Sequence, residues 1–171
     1  MPQVFTKLLP AWHTVLYTDA KKPILRDAKH AYLFSHYLYD LQREIGFTLC
    51  GWVILPDHVH ILIHTDQHAA TTVINAIVEK TADFMKQSYS GGVSDFSWEP
   101  VGKYRYINTT AEFENTLASL FYDPVVHGMV DDPIDYSFSS YHHFLHDFGE
   151  RGARRIASYS KKGSSLHETQ L

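Results

Sequence analysis

Two histidines separated by one residue, His58 and His60, lie in the run HVHILIH that starts directly after Pro56 and Asp57. In an extended strand, residues i and i+2 project from the same face with backbones roughly 6–7 Å apart. Imidazoles held this way can converge and share one divalent ion. The pair alone does not compel that reading, because half-exposed strands also carry histidines for packing. His64 shares the face farther along and is read as a surface or packing residue. A metal site needs a further ligand, and the segment ending at Pro124 offers Ser119, Tyr122 and Asp123. Ser119 and Asp123 are four apart and share a helical face. Each also has an ordinary structural reading. Asp before Pro is a good N-cap for the turn Pro124–His127, and tyrosine is often a packing aromatic.

These side chains need elements to position them. Alternation in AWHTVLYT predicts a strand over 11–18. Apolar spacing after Pro23 predicts an amphipathic helix over 24–45, stopped by Gly46. FTLCGWVIL (47–55) reads as a buried strand, and the short Pro56–Asp57 turn folds it back into a hairpin with HVHILIH. In the second strand Val59, Ile61 and Ile63 line one face, and His58, His60, Leu62 and His64 line the other. TTVINAIVEKTADFM (71–85) is helical by its apolar stripe, and 87–96 is a Gly/Ser-rich loop. A fourth strand is expected around 104–107 and a third helix over 112–122, ended or bent by Pro124. Gly128 caps a further turn.

The order strand–helix–strand–strand–helix–strand is the split βαβ, ferredoxin-like arrangement of the α+β class. It predicts an antiparallel sheet of about four strands with helices on one face and an extra C-terminal helix. If the first two helices cover Val59, Ile61 and Ile63, the histidines point to an open face. The domain is expected to span 1–148, with 149–171 a polar, basic, mobile tail.

The 171 residues suit one domain, and 44% hydrophobic with 20% charged residues is ordinary for a globular chain. No apolar run is long enough to span a bilayer or to resemble a leader, and Cys50 is the only cysteine. No membrane association and a cytoplasmic location are therefore expected, with Cys50 a buried small hydrophobe. A net charge of −4 argues against a uniformly basic nucleic-acid binder. Local clusters remain at Lys21, Lys22, Arg26 and Lys29, and at Arg151, Arg154, Arg155, Lys161 and Lys162. Either is a phosphate-facing patch or a solvated surface. Trp98, Tyr104 and Tyr106, with Arg105 among them, are core aromatics or platforms on which bases stack.

GWVILPDHVHILIHT (51–65) resembles the signature of the single-tyrosine HUH transposases, especially the REP-associated, IS200-like branch. There an apolar strand, a Pro-Asp/Glu/Asn turn and His-hydrophobic-His follow one another. DPVVHGMVDDPIDYSFSSYHHF (123–144) is similar to that branch's Asn-Pro-Val-x-x-Gly-Leu-Val stretch and the Pro-x-x-Tyr-x-x-Ser-Ser-Tyr after it. WHTVLYT and the segment from Trp98 to Pro100 also fit, so the likeness covers roughly 11–144.

The resemblance implies Mg²⁺ or Mn²⁺ held by His58, His60 and Asp123, the last standing where the family usually has Asn or Gln. A hard cation accepts a carboxylate there at least as well. It further implies hairpin-forming single-stranded DNA as partner, possession of a catalytic tyrosine that forms a 5′-phosphotyrosine link, and in some relatives assembly as a homodimer. The sequence departs from the pattern at the nucleophile. The position four residues before the third ligand is Ser119, and Tyr122 is the nearest phenol, displaced by roughly 4.5 Å along a helix axis. Three functions follow: a strand transferase using Tyr122 or Ser119, a DNA-hairpin-binding protein that no longer cuts, and an unrelated small metallohydrolase.

Overall fold

The structure is a computed structural model, and it describes residues 5–88, 96–100 and 104–163. Strands β1 (Ala11–Tyr17), β2 (Thr48–Ile54), β3 (His58–His64) and β4 (Arg105–Ile107) form one sheet in the order β2-β3-β1-β4. Every neighbouring pair is antiparallel. The helices are α1 (Ala28–Leu41), α2 (Ala70–Ser88), α3 (Thr110–Val126) and α4 (Tyr141–Gly163). The expected ferredoxin-like arrangement is present, with the His-x-His strand β3 held on both sides by neighbours.

The helix expected over 24–45 is broken into three. A 3-10 turn (Ile24–Arg26) precedes Asp27, whose carboxylate caps α1 through the Lys29 N–H at 2.8 Å. After Leu41 a wider π turn, Gln42–Gly46, unwinds the end. Gly46, at φ 84°, stops it as expected.

Val59, Ile61 and Ile63 pack with Phe34 and Leu38 of α1 and Ile74 and Ile77 of α2 in one core. The face that carries the histidines is not open. Leu62 and Val53 pack there with Phe113, Leu117, Leu120 and Phe121 of α3 and with Phe144 and Ile156 of α4 in a second core. The third helix has an apolar stripe of its own, which has to be buried somewhere, and this sheet face is the surface left. Gly51 permits the close seat. A Cβ there would stand 2.8 Å from Leu117 Cδ2, whose side chain is buried.

Two further expectations change. α3 runs through Pro124 to Val126 and ends in a Schellman turn, with Gly128 N–H on Val125 O and Met129 N–H on Pro124 O, both 2.9 Å. Pro124 lies in the last turn, so the helix ends just beyond it and not at it. Asp123 is then a helical residue and not a cap. The stretch from Gly149 is likewise no loose tail as far as Gly163, because α4 continues through a kink at Gly149. Ile156 is fully buried, and Arg155 makes two hydrogen bonds, at 2.6 and 2.9 Å, to the buried Glu114 of α3. The loop expected over 87–96 lies mostly outside the described residues.

The second family-like block has a structural task here. Tyr136 donates its hydroxyl to Ile54 O at 2.6 Å, Phe138 O accepts from Ile54 N–H, and Ser140 bonds the Trp52 backbone. This segment lies along the outer edge of β2 and covers part of an otherwise unpaired strand.

Candidate metal centre

The hairpin that launches His58 is tied down before the histidines begin. Leu55 N–H donates to His58 O at 2.8 Å, closing the Pro56–Asp57 turn. Thr18 N–H reaches Asp57 O and Leu25 N–H reaches Pro56 O, each at 2.9 Å. Backbone pairing on both sides then fixes where His58 and His60 project. α3, seated over Gly51, brings Asp123 onto the same point.

Asp123 Oδ2 stands 3.4 Å from His58 Nε2 and 3.2 Å from His60 Nε2. Ligand atoms in adjacent positions around an octahedral ion with bonds of roughly 2.1 Å lie about 3 Å apart, so these spacings suit one shared hard cation. The three donor atoms all lie within 4.8 Å of one another. Oδ2 is buried yet has no hydrogen-bond partner, because the two imidazole contacts are close without being aligned. A buried carboxylate oxygen left in that state is costly, and a cation would satisfy it. The donors present therefore fit the ion that the family implies.

Two neighbours orient the ligands. Asp57 Oδ1 lies 2.7 Å from His58 Nδ1, and His13 Nε2 lies 3.0 Å from His60 Nδ1. With Nδ1 engaged, each ring presents Nε2 to the common centre. The His13 and His60 rings are nearly parallel, 9° apart, with centroids 5.3 Å apart. Burial, then the neighbouring His60 and Arg105, pushes the His13 imidazole down to about 3, so it is neutral and can accept from His60. Burial also opposes charge on His58, but the carboxylates of Asp123 and Asp57 outweigh it and raise the imidazole above its ordinary value. Burial would raise the Asp123 carboxyl, yet His58, His60 and His127 hold it well below the usual carboxylate range. His127, half exposed, stands 3.7 Å from Asp123 Oδ1.

The structure does not bring the other named residues together equally. Ser119 is exposed on α3, one turn before Asp123. Tyr122 is turned elsewhere: its ring is partly buried against the second core. Lys21 and Arg26 line a cleft of about 490 Å³ that opens at Asp57, His58 and His127, whereas Lys22 pairs with Asp19 at 3.6 Å. Arg151 and Arg154 are exposed on α4, with Arg154 near Glu150. Trp98 is not a platform, since it is only 8% exposed, donates to Thr81 at 3.0 Å and stands edge-on to Phe34. Tyr104 packs on Trp12 and bonds Thr71, and Arg105 bonds Thr116. Tyr106 lies against Trp12 yet stays 41% exposed. Cys50 is half-buried, its thiol pushed up to about 12 by burial.

His13, Tyr17 and Asp57 escaped the sequence reading. Alternation in AWHTVLYT places His13 and Tyr17 on one face of β1, but only the observed register, Tyr17 opposite His58 and Val15 opposite His60, sets that face beside the ligands.

A four-stranded split βαβ sheet with a His-x-His pair on a central strand is the arrangement of the HUH class. The sequence matches the family described as transposase IS200-like over residues 8–120, and the chain belongs to that family. The match ends just before Asp123, so that residue's place in the site rests on geometry. A REP-associated tyrosine transposase of Escherichia coli (strain K12) is 22% identical over 111 residues, 64% of this chain and 64% of the relative. The chain thus spans somewhat under two thirds of that protein's length. Among solved structures, a REP-associated tyrosine transposase bound to a REP hairpin superposes with a TM-score of 0.66 at 19% identity, covering 80% of this chain and 79% of the other. A protein of Deinococcus radiodurans R1 described as a transposase gives 0.50 at 18%, covering 70% and 89%. These likenesses establish the fold. Among the described residues no helix is long and apolar enough to cross a membrane.

Proposed function

We propose that the protein binds hairpin-forming single-stranded DNA and, with Mg²⁺ or Mn²⁺ at His58, His60 and Asp123, cuts and rejoins a strand beside the hairpin. The observation that carries this is the orphaned, buried Asp123 Oδ2 between two imidazole nitrogens whose other ring nitrogens are already engaged. Membership of the family supplies the substrate class, and the relative solved with a REP hairpin supports a folded DNA partner.

When bound, the ion supplies Lewis-acid polarisation of the scissile phosphate. The chain's own groups do the rest. Asp57 and His13 hold the two imidazoles in the tautomer that leaves Nε2 free. Lys21 and Arg26 line the adjoining cleft, where they would neutralise phosphates of the strand entering the site. A side-chain hydroxyl attacks phosphorus, leaving a covalent 5′-phosphate link on the protein and a free 3′-hydroxyl. That link conserves the phosphodiester energy, so a second 3′-hydroxyl can reverse the step. A cytoplasmic location is part of the same proposal.

The test is incubation of a labelled hairpin oligonucleotide bearing a single-stranded flank with the protein and Mn²⁺, followed by denaturing electrophoresis. A Mn²⁺-dependent covalent adduct, lost in His60→Ala, is expected. Tight, salt-dependent hairpin binding without any adduct would instead favour a binding protein that no longer cuts. Metal binding without DNA affinity would point to the metallohydrolase.

A further inference from the structure

We propose that the attacking hydroxyl is the phenol of Tyr17 on β1; this rests on the reading of the site as a metal-dependent DNA-cleaving centre. Tyr17 lies directly opposite His58 across the β1–β3 pairing and shares the sheet face of His13 and His60. Its ring stacks on His58, with centroids 5.1 Å apart and planes 29° from parallel. It is half-buried. The Lys21 ammonium stands 5.2 Å from its centroid, and Lys21 lines the cleft that opens at His58. A phenol, a ligand imidazole and a cation thus lie together beside the cleft where a strand phosphate would enter.

The two hydroxyls of α3 compare poorly. Tyr122 is packed against the second core. Ser119 shares the Asp123 face, but its hydroxyl is short and is a far weaker acid than a phenol. The sheet therefore supplies from β1 the kind of group that the helix lacks. In the step, the Tyr17 Oη–P bond forms and the P–O3′ bond breaks. The phenolic proton passes to water, and the departing 3′-oxygen takes one up to become a hydroxyl. Attack by a 3′-hydroxyl on the same phosphorus restores the phenol.

Trypsin separates the candidates cleanly. The peptide LLPAWHTVLYTDAK, residues 8–21, holds Tyr17 as its sole tyrosine, while Ser119 and Tyr122 fall together in 106–151. The full chain is incubated with Mn²⁺ and the flanked hairpin, the adduct is digested with nuclease and trypsin, and the nucleotide-bearing peptide is located by mass spectrometry. The mass should fall on 8–21. Tyr17→Phe, which keeps the ring on His58, should lower adduct yield at least 100-fold, and Tyr122→Phe should leave it within threefold of wild type. A second readout needs no DNA. Mn²⁺, but not Mg²⁺, should broaden the ring resonances of Tyr17, assigned as those missing in Tyr17→Phe, while those of Tyr122 survive. A nucleotide on 106–151, an adduct that persists in Tyr17→Phe, or Tyr17 signals untouched by bound Mn²⁺ would overturn the proposal. Hairpin and Mn²⁺ binding with no adduct would overturn it and leave the metal site standing. Absence of Mn²⁺ binding altogether would defeat the site reading first.

Discussion

Asp123→Asn tests the metal centre most informatively, because it changes charge and almost nothing else. In the native protein Oδ2 is buried between Nε2 atoms 3.4 and 3.2 Å away. A unit charge about 4 Å from another is worth roughly 4 kcal/mol at an effective dielectric near 20. The amide retains an oxygen dipole aimed at the same point, so part of that is kept and a loss of about 2 kcal/mol remains, or ~30-fold in Kd. Asp123→Ala, which removes the oxygen too, should cost more. Mn²⁺ is titrated at pH 7.5 while the free ion is followed by electron paramagnetic resonance, and urea melts check that each variant is folded. The reasoning fails if Asp123→Asn binds Mn²⁺ within threefold of wild type, or if His60→Ala leaves the affinity unchanged.

Three further outcomes follow from other parts of the structure. Arg155→Met strands the buried Glu114 carboxylate, and urea unfolding should show a loss of roughly 3 kcal/mol, the low end for a broken buried pair because Arg155 is 40% exposed. His13, held near 3 when folded against 6.5 when free, binds its proton mainly in the unfolded chain. Its stabilising contribution is complete above pH 6.5 and is lost as pH falls toward about 3, with a slope of at most about 1.4 kcal/mol per pH unit. His13→Gln should flatten that part of the metal-free stability profile, and an unchanged profile would show that His13 is not held neutral. Lys21→Ala and Arg26→Ala should each weaken hairpin binding and reduce the slope of log K against log salt by about 0.7 if each meets one single-strand phosphate; unaltered slopes would remove the cleft from the DNA path.

The succession of strands and helices along the chain and the histidine pair were legible because both rest on local periodicity. Alternation in HVHILIH fixes which side chains share a face, and the observed strand begins and ends where the pattern does. Asp123 was legible as a ligand only through resemblance, since local chemistry equally suited a cap. Partners that depend on strand register were not legible. His13 reaches His60 and Tyr17 covers His58 because β1 and β3 pair as they do, and nothing within AWHTVLYT states that pairing. α4 was not foreseen, and beyond Gly149 its polar sequence read as a tail. Its hold on the domain rests on Ile156 and the Arg155–Glu114 pair, contacts separated by many residues in the chain. Trp98 was left open between core aromatic and stacking platform, and only Phe34, Phe96 and Thr81 around it decide for the core.

The central claim is that His58, His60 and Asp123 hold one divalent ion. A crystal structure of the protein grown with Mn²⁺, with anomalous data collected near the manganese edge, tests it most directly. The account predicts a single strong peak between the two Nε2 atoms and the Asp123 carboxylate, with Asp57 still on His58 Nδ1. A peak at another cluster, or none at this site in millimolar Mn²⁺, would contradict it.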